Sequence, residues 1–432
     1  MLNILNKCNT HIHSYTLSSR KNMAFEETKP IRFGILGCAE IARKVSRAIN
    51  LSPNATLYAI GSRSLEKATK FAASNNFPSH AKVYGSYDAV LDDPDVDVVY
   101  IPLPTSLHLH WAVLAAQKKK HLLLDKPVAL NVGELDKILE ACESNGLQYM
   151  DATMWMHHPR TEKMFQFISD PNLFGSLQLV HAAFTFGASP HFLANDIRVK
   201  PDLDALGALG DAGWYCIRAI LWAANYELPK TAKVLHKPKY NEAGVLLSCE
   251  ASLTWEDNKV ATFFCSFLAD MSMDITAIGA KGSLRVHDFI IPNQENEALF
   301  RISSNSYFVE LSTGWNPKPS EIIVKNDVPQ EVLMVKEFAH MVGGIKYGNS
   351  KVENKWAIIS RKTQVVIDAV KASIDNDLEP VSIHFDVPNK EVSYGIDALI
   401  SGDTCTTLCG NISFTPTQDS DTWQPGPHTN RR

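Results

Sequence analysis

The chain has 432 residues, which is enough for two sizeable domains. Its net charge of -5 supplies no basic field for nucleic acid, and no run of about 18 apolar residues predicts a membrane span. Its eight cysteines include no C-x-x-C pair, which is typical of reduced thiols in an intracellular chain of this size. We therefore expect a cytoplasmic protein that binds neither nucleic acid nor a membrane.

The two ends of the chain are polar and show no periodic pattern. Residues 1–28 carry no acid before Glu26, and Met23 would itself make a sensible start, so we expect a disordered leader. An organellar transit peptide is the alternative for this segment. Residues 388–432 are rich in Thr, Ser, Asp, Gly and Pro, which predicts a disordered tail.

Residues 29–150 alternate short apolar strands with helical segments. The predicted strands are "IRFGILG", "ATLYAIGSR", "DVDVVYIPLP", "HLLL" and "LQYMDA". Ser64 and Asn131 stand where they would cap two of the intervening helices, and Gly146 ends the last one. This βαβ rhythm predicts a Rossmann domain, which is a doubly wound parallel sheet with helices on both faces.

Residues 151–387 show a different pattern, in which strand-like runs follow one another. These runs are "LQLVHAAFTFG", "GVLLSCEASLTW", "KVATFFCSFLA", "DITAIGA" and "GSLRVHDFII". They predict an α+β domain with a mostly antiparallel open sheet, and helices over 329–347 and 353–376 should pack on that sheet or on the first domain. The open sheet needs a cover for its apolar face, and we expect a homodimer to provide it.

The stretch "GILGCAEIARK" joins the first strand to the first helix and resembles a dinucleotide fingerprint, G-x-G-x-x-G. Gly37 fits the first place, and Ala39 and Ala42 are small residues at the other two. Backbone N–H groups at such a helix start receive phosphates, so residues 37–42 are candidates for cofactor contact. The candidates are Gly37, Cys38, Ala39, Glu40, Ile41 and Ala42. An ordinary strand–helix turn is the alternative.

The end of the second strand distinguishes between the two nicotinamide cofactors. An NAD site usually has an acid there for the ribose hydroxyls, whereas this chain has Ser62, Arg63 and Ser64. Arg63 can pair with a 2′-phosphate, which an acidic side chain would repel, and the two serines can donate hydrogen bonds. These residues predict NADP as the cofactor; an exposed loop arginine is the alternative.

Two further segments carry groups suited to proton transfer. Lys126, in "LLLDKPVAL", follows a predicted parallel strand and should face the ligand crevice. Asp211 and Tyr215, in "GALGDAGWYCIRAI", are four residues apart and should lie on one face of a helix. A carboxylate and a phenol near an ammonium make a set that can move a proton. Taken alone, Lys126 could be a surface charge and Asp211 an ordinary charge at a helix start.

Together these motifs resemble the Gfo/Idh/MocA oxidoreductases over about residues 31 to 385. Within that family the chain is most similar to the dihydrodiol dehydrogenase and NADP-dependent D-xylose dehydrogenase branch, where tyrosine replaces histidine. The resemblance implies that Lys126 is the catalytic lysine, Tyr215 the proton donor and Asp211 the helix aspartate. Asp125 stands where the family usually has Glu, and the resemblance implies that Asp125 and Lys126 also contact the cofactor.

The resemblance also implies roles for two other stretches. In "PLPTSLHLHWA" it places four residues beside the nicotinamide ribose, namely Pro102, Pro104, Thr105 and His108. In "MWMHHPRT" it suggests three residues that border the substrate, namely Trp155, His157 and Arg160. The alternative for His157 and His158 is that their side chains are packed in the interior or exposed to solvent and do not contact the substrate. His108 and His110 lack a third ligand at metal spacing, so we expect no metal.

The function implied is hydride transfer between NADP and a hydroxyl or carbonyl group of a sugar, a cyclic diol or a related small molecule. A non-catalytic dinucleotide sensor of the same fold is the alternative. Such a protein could lose Lys126 or Tyr215 without harm, and this chain has both, which favours the enzyme.

Overall fold

The computed structural model describes residues 29–309 and 314–384. The predicted leader (1–28) and tail (388–432), together with the last three residues of the predicted second domain, lie outside this range. The described residues contain two large sheets within one compact unit. No helix among them is long and apolar enough to cross a membrane.

The first sheet has six strands that all pair in parallel, in the order β3-β2-β1-β4-β5-β6. The strands are β1 Ile31–Leu36, β2 Ala55–Gly61, β3 Lys82–Tyr84, β4 Val98–Ile101, β5 His121–Leu124 and β6 Tyr149–Asp151. This is the strand order of dinucleotide-binding sheets, in which ligands bind at the carboxyl edge where the order reverses between β1 and β4. The prediction of a doubly wound parallel sheet is confirmed.

The helices of this half begin where the sequence provides caps. They are α1 Glu40–Leu51, α2 Leu65–Ser74, α3 Tyr87–Asp92, α4 His108–Gln117 and α5 Val132–Ser144. Ser64 and Asn131 accept backbone N–H groups in the first turns of α2 and α5, as predicted. The sequence patterns missed β3 and α3 because a three-residue edge strand and a six-residue helix are too short to show a period.

The second sheet has ten strands, and all its neighbouring pairs are antiparallel except β7 with β11. The order is β17-β14-β13-β12-β7-β11-β10-β8-β18, with β9 beside β10; β15 and β16 form a separate hairpin. The strands are β7 Leu177–Gly187, β8 Thr231–Val234, β9 Lys239–Tyr240, β10 Leu246–Thr254, β11 Val260–Ser266, β12 Leu268–Gly279, β13 Gly282–Val286, β14 Glu297–Ser304, β15 Tyr307–Phe308, β16 Trp315–Asn316, β17 Ser320–Lys325 and β18 Val381–Ser382. The predicted α+β fold with a mostly antiparallel sheet is confirmed.

Two long helices pack near the first sheet, and one of them also contacts the second sheet. The helices of this half are α6 Pro159–Ile168, α7 Pro190–Asn195, α8 Trp214–Ala223, α9 Gln330–Tyr347 and α10 Lys355–Asp375. Helix α9 packs on α1 and the first sheet, while α10 contacts α5 and β6 on one side and α8 and β8 on the other. The predicted domain boundary between residues 150 and 151 therefore falls inside β6, and helices from the second half complete the packing of the first.

A buried ion pair lies at the centre of this packing. Arg218 on α8 donates from Nη2 to the Asp151 carboxylate at the end of β6 over 3.1 Å, and both side chains are fully buried. Ser360 on α10 donates to the same carboxylate, and Thr363 accepts from Arg218 Nε at 2.7 Å. Burial alone would raise the pKa of the Asp151 carboxyl, but Arg218 and the hydroxyl donors hold that pKa below its usual value. The pair thus fixes β6, α8 and α10 relative to one another.

The segment that leads into α8 depends on Gly207. This residue has φ +55°, and a Cβ built on it would lie 2.0 Å from the carbonyl oxygen of Leu246. A side chain there would meet both a left-handed backbone and a clash with a backbone atom.

We expect Gly207→Ala to destabilise the protein by about 2 to 5 kcal/mol, from backbone strain plus the forced shift of β10. Gly146→Ala is the matched control, since Gly146 also has a positive φ of +65° but a Cβ would meet nothing within 4 Å. It should lose only about 1 to 2 kcal/mol. Urea unfolding midpoints measure both, and equal losses would contradict the steric argument.

Candidate active site

Lys126, Asp211 and Tyr215 meet at the carboxyl edge of the first sheet. Lys126 follows β5, and its ammonium makes an ion pair with Asp211 and lies 4.6 Å from the centre of the Tyr215 ring. The side chains of Lys126 and Asp211 are only 12% and 10% exposed, so the charges face each other in a largely dehydrated space. The structure thus brings together the three residues predicted to be catalytic.

The backbone around Asp211 departs from the predicted regular helix. Residues Leu209–Gly213 form one turn of π-helix, and Tyr215 lies in the first turn of α8 that follows it. Gly210 permits this wide turn, because a Cβ there would lie 2.5 Å from the Cβ of Leu206. The expectation of a single α-helical face is therefore wrong in its geometry, although both side chains contact Lys126. Single π turns are frequent at functional sites.

Arg198 is a fourth member of the site that sequence reasoning missed. It lies in the short 3-10 turn Ile197–Val199, and its Nε is 3.1 Å from Asp211 Oδ1. Its Nη1 also donates to Asp196 at 3.0 Å. Nothing in the local pattern of "NDIRVKP" connects this arginine with an aspartate 13 residues later. The Asp211 carboxylate is consequently shared by two cations.

Neighbouring charges keep the Asp211 carboxylate and the Lys126 ammonium ionised. Burial alone would raise the pKa of Asp211, but Lys126 and Arg198 outweigh it and lower the pKa to about 2. Burial likewise works to lower the pKa of Lys126, but the negative charge of Asp211 and the Tyr215 group raise it above its usual value. Lys126 is therefore an ammonium at any pH near neutral.

Tyr215 is held as a protonated phenol. Burial raises its pKa above the usual value, and the positive charges of Lys126 and Arg198 oppose that effect only in part. The edge of the ring meets Phe184, with ring centres 5.7 Å apart. Phe186 and Phe192 continue this half-buried aromatic surface, with centres 5.5 Å apart. The phenol thus lies between charged groups and an apolar surface.

The predicted dinucleotide loop has the geometry that close approach of a phosphate requires. Gly37 has φ +104°, and its N–H donates to the carbonyl of Gly61 at 2.8 Å. Helix α1 begins at Glu40, and its N-cap residue Ala39 supplies no side-chain oxygen to the first N–H groups. Ala42 is fully buried against the sheet. The first-turn amides of α1 are thus not capped by the Ala39 side chain, as anion binding requires.

The other loop residues have mixed surroundings. Cys38 and Ile41 are half-buried, Glu40 is exposed, and burial raises the pKa of the Cys38 thiol. At the end of β2, Ser62 is buried, while Arg63 is exposed with its charge beside the Tyr87 hydroxyl. Ser64 uses its oxygen to cap α2, accepting from Lys67 N at 3.2 Å. Its hydroxyl hydrogen stays available to a ligand.

The residues after β4 make hydrogen bonds to other parts of the protein. Thr105 donates to Asp204 from both its N–H, at 2.9 Å, and its hydroxyl. The buried His108 ring lies between the carbonyls of Leu103 and Val128, at 2.8 and 3.2 Å. Burial lowers the pKa of His108, which favours a neutral ring. Pro102 is buried and Pro104 half-buried. Thr105 and His108 therefore brace the strand ends, and their predicted contact with the nicotinamide ribose stays a prediction.

The three side chains predicted to border the substrate lie in the packed interior instead. Trp155 is 1% exposed and packs against Trp222 and Phe289. Arg160, also 1% exposed, makes an ion pair with Asp288.

The His157 side chain is 1% exposed, stacks on Trp356 and contacts Glu337 at 2.8 Å. Side chains so enclosed do not line an accessible pocket, so the assignment of Trp155, His157 and Arg160 to the substrate is corrected. The packed alternative holds for His157 and for the buried His158.

Asp125 directly precedes Lys126, and its carboxyl has a shifted pKa. Its Oδ1 accepts the N–H of Lys126 at 3.0 Å. Burial raises the pKa of its carboxyl to about 6, against an opposing effect of Lys126. The short carboxylate thus braces the backbone of Lys126, while Asp211 meets its ammonium.

No group of three or more His, Cys, Asp or Glu residues within 29–309 and 314–384 is placed to hold a metal ion.

Two family models match the two halves of the chain. Residues 31–153 match the oxidoreductase family with an NAD-binding Rossmann fold, and residues 168–285 match the GFO/IDH/MocA C-terminal domain. An uncharacterized oxidoreductase, ORF334 of Rhizobium meliloti, is 37% identical over 64% of this chain and 80% of its own. The chain belongs to the Gfo/Idh/MocA oxidoreductase family.

Other members of the Gfo/Idh/MocA family are also similar to it. The dTDP-3,4-didehydro-2,6-dideoxy-alpha-D-glucose 3-reductase of Streptomyces antibioticus is 30% identical over 63% of this chain and 80% of its own. The crystal structure of KijD10, a 3-ketoreductase from Actinomadura kijaniata in complex with NADP and TDP-benzene, has a TM-score of 0.68 at 25% identity and covers 80% of this chain and 98% of that one. Dihydrodiol and D-xylose dehydrogenases are relatives too, as predicted, but they match smaller shares of the chain than the reductase does.

We expect Asp125→Asn to stabilise the protein above pH 6 by about 3 kcal/mol. The folded-state pKa of about 6 lies above the ordinary Asp value, so the wild type loses stability as pH rises from about 4 to 6, while the amide does not. The amide oxygen can still accept the Lys126 N–H.

Urea unfolding of both proteins between pH 4 and 8 measures this difference, with the exposed Asp88→Asn as control. A constant difference across that range would contradict the assigned titration.

Proposed function

We propose that this protein is an NADP(H)-dependent oxidoreductase that transfers a hydride between the nicotinamide and a hydroxyl or carbonyl group. The observation that carries the proposal is the Lys126–Asp211–Tyr215 cluster at the carboxyl edge of the first sheet. A buried ammonium beside a protonated phenol is what reduction of a carbonyl requires, because negative charge develops on the substrate oxygen and a proton must reach it.

The residues at the sheet edge fit NADP. Gly37 allows close backbone approach, α1 begins without a side-chain cap, and Arg63 is an exposed cation where an NAD site usually has an acid. First-turn amides of α1 would hold the diphosphate, and Arg63 with the neighbouring serines would hold the 2′-phosphate. The bound dinucleotide supplies or accepts the hydride. The relative KijD10, whose crystal structure contains NADP, supports this choice.

The side chains of the site divide the remaining work. Tyr215 gives its proton to the substrate oxygen during reduction and receives it during oxidation. Lys126 stabilises the negative charge on the oxygen or on the phenolate. Asp211 holds the ammonium in place, and Arg198 holds the same carboxylate oxygen from its own segment. The Lys126 ammonium thus presents a positive charge to the reacting oxygen in a largely dehydrated space.

The substrate proposed is a sugar, a cyclic diol or a related small carbonyl compound. Relatives named for dTDP-linked sugars, D-xylose and dihydrobenzene diol support this range. The aromatic surface of Phe184, Phe186 and Phe192 beside Tyr215 suits the apolar face of a ring. We also propose a cytoplasmic homodimer that covers the open face of the second sheet, where Leu179, Ile278 and Leu299 are exposed.

We expect Lys126→Ala and Tyr215→Phe each to lower kcat for NADPH-dependent carbonyl reduction by about 100- to 10,000-fold, since each removes a group that acts in the transition state. NADPH affinity, measured by fluorescence titration, should change much less. The control variants are Lys118→Ala and Tyr347→Phe, which alter partly exposed residues.

Activity is measured with a panel of sugars, diols and dicarbonyls by following the absorbance of NADPH. Tight NADPH binding without turnover on any member would favour the non-catalytic sensor. Full activity of either catalytic-site variant would refute the assigned roles.

We expect Arg63→Ala to weaken NADPH binding by about 10- to 100-fold while leaving NADH binding unchanged, because only NADPH carries the 2′-phosphate. Fluorescence titration with both cofactors measures the ratio. Arg285→Ala, which removes an exposed arginine from the second sheet, serves as the control. An unchanged ratio of the two affinities for Arg63→Ala would show that the 2′-phosphate lies elsewhere.

A further inference from the structure

Asp204 lies between the first sheet and the segment that carries Asp211. Its Oδ1 accepts two hydrogen bonds from Thr105, one from the backbone N–H at 2.9 Å and one from the hydroxyl. Asp204 is 9% exposed and Thr105 1% exposed. These bonds are therefore protected from competition with water, which makes them stronger than surface contacts.

The neighbouring residues extend this contact. Ser106 donates its N–H to the carbonyl of Leu203 at 2.9 Å and its hydroxyl to the carbonyl of Asp202 at 3.0 Å. Residues 202–204 thus accept hydrogen bonds from Thr105 and Ser106, which begin the turn after β4. Because β4 pairs with β5, this turn lies beside the strand end from which Lys126 emerges.

The path from Asp204 to the active site is short and conformationally restricted. Ala205 and Gly207 have φ values of +45° and +55°, and the π turn that contains Asp211 begins at Leu209. Arg198 lies six residues before Asp204 and contacts the same Asp211 carboxylate. Asp204 is therefore the anchor between the two segments that supply Arg198 and Asp211.

We propose that Asp204 is a positioning residue, which acts through Thr105 to hold Asp211 and Tyr215 in register with Lys126. This inference rests on the proposed function for its kinetic consequence. The Lys126–Asp211 ion pair joins the same two parts of the chain, but an ion pair tolerates a range of angles. The two hydrogen bonds to one oxygen of Asp204 fix a direction, as the alignment of a proton donor with its substrate requires.

The test compares variants that remove the hydrogen bonds with variants that keep them. Asp204→Ala, which removes both hydrogen bonds, should lower kcat by about 10- to 100-fold, the loss typical of a displaced catalytic group, while the Kd for NADPH changes less than about threefold. Thr105→Val removes only the hydroxyl bond and should cause a smaller loss of kcat. Asp204→Asn and Thr105→Ser retain the acceptor oxygen and the hydroxyl, so they should keep at least about a third of the wild-type kcat.

The double variant Asp204→Ala/Thr105→Val should be no worse than Asp204→Ala, because that change already removes the hydroxyl bond lost in Thr105→Val. Ser106→Ala, which loses only the exposed hydroxyl bond to Asp202, is the control and should be close to wild type. An unchanged kcat in Asp204→Ala, additive losses in the double variant, or failure of Asp204→Asn to restore activity would overturn the proposal. A fall in NADPH affinity that matches the fall in kcat/KM would also overturn it, by showing that Thr105 and Asp204 act on the cofactor.

Hydrogen–deuterium exchange separates this inference from the proposed function. Asp204→Ala should speed exchange in peptides over 209–215, and Asp204→Asn should restore protection, whether or not a substrate has been found. If the wild type turned over no substrate, the proposed function would fail, and exchange over 209–215 would still decide the structural part. Unchanged exchange in Asp204→Ala would overturn the inference even in an active enzyme.

Discussion

The candidate site depends on one carboxylate shared by two cations. Lys126 and Arg198 contact the same oxygen of Asp211; the side chains of Lys126 and Asp211 are largely enclosed, and that of Arg198 is about one-third exposed. Arg198 also pairs with Asp196, so the charges of these four groups balance, and the Lys126 ammonium is the positive charge that lies beside the Tyr215 ring. A site of this kind favours negative charge on a reacting oxygen, which is the requirement for hydride transfer to a carbonyl. Burial increases the effect because little water competes.

These charges come from parts of the chain that only the fold brings together. Lys126 follows a strand of the first sheet, Arg198 lies in a short turn after β7, and Asp211 occupies the π turn before α8. The Asp151–Arg218 pair fixes the strand next to β5 against α8. Removing one member of a buried pair of this kind typically costs about 3 to 5 kcal/mol, because the other charge is left unpaired. The geometry of the site therefore rests on packing well outside it.

Local sequence patterns predicted the strands that have a sustained hydrophobic pattern and the helices that begin at a recognisable N-cap residue. The bounds of β7 match the predicted run "LQLVHAAFTFG", and Ser64 and Asn131 cap the helices that they were expected to cap. Patterns failed where the element was short, as for β3, or where the backbone left regular geometry, as at Asp211. They also failed for Trp155 and Arg160, since a polar or aromatic residue near a motif looks the same whether its side chain faces a cleft or the core.

Sequence patterns correctly predicted the doubly wound sheet, and they singled out the candidate dinucleotide loop and the candidate catalytic residues Lys126, Asp211 and Tyr215. These features depend on spacing along the chain, which a periodic pattern or a motif records directly. The three-dimensional fold was needed to show that Arg198 shares Asp211, that Asp204 holds Thr105, and that the side chains of Trp155, His157 and Arg160 are buried. Such contacts join residues through space, and their free energy depends on burial and direction, which no single segment of the chain encodes.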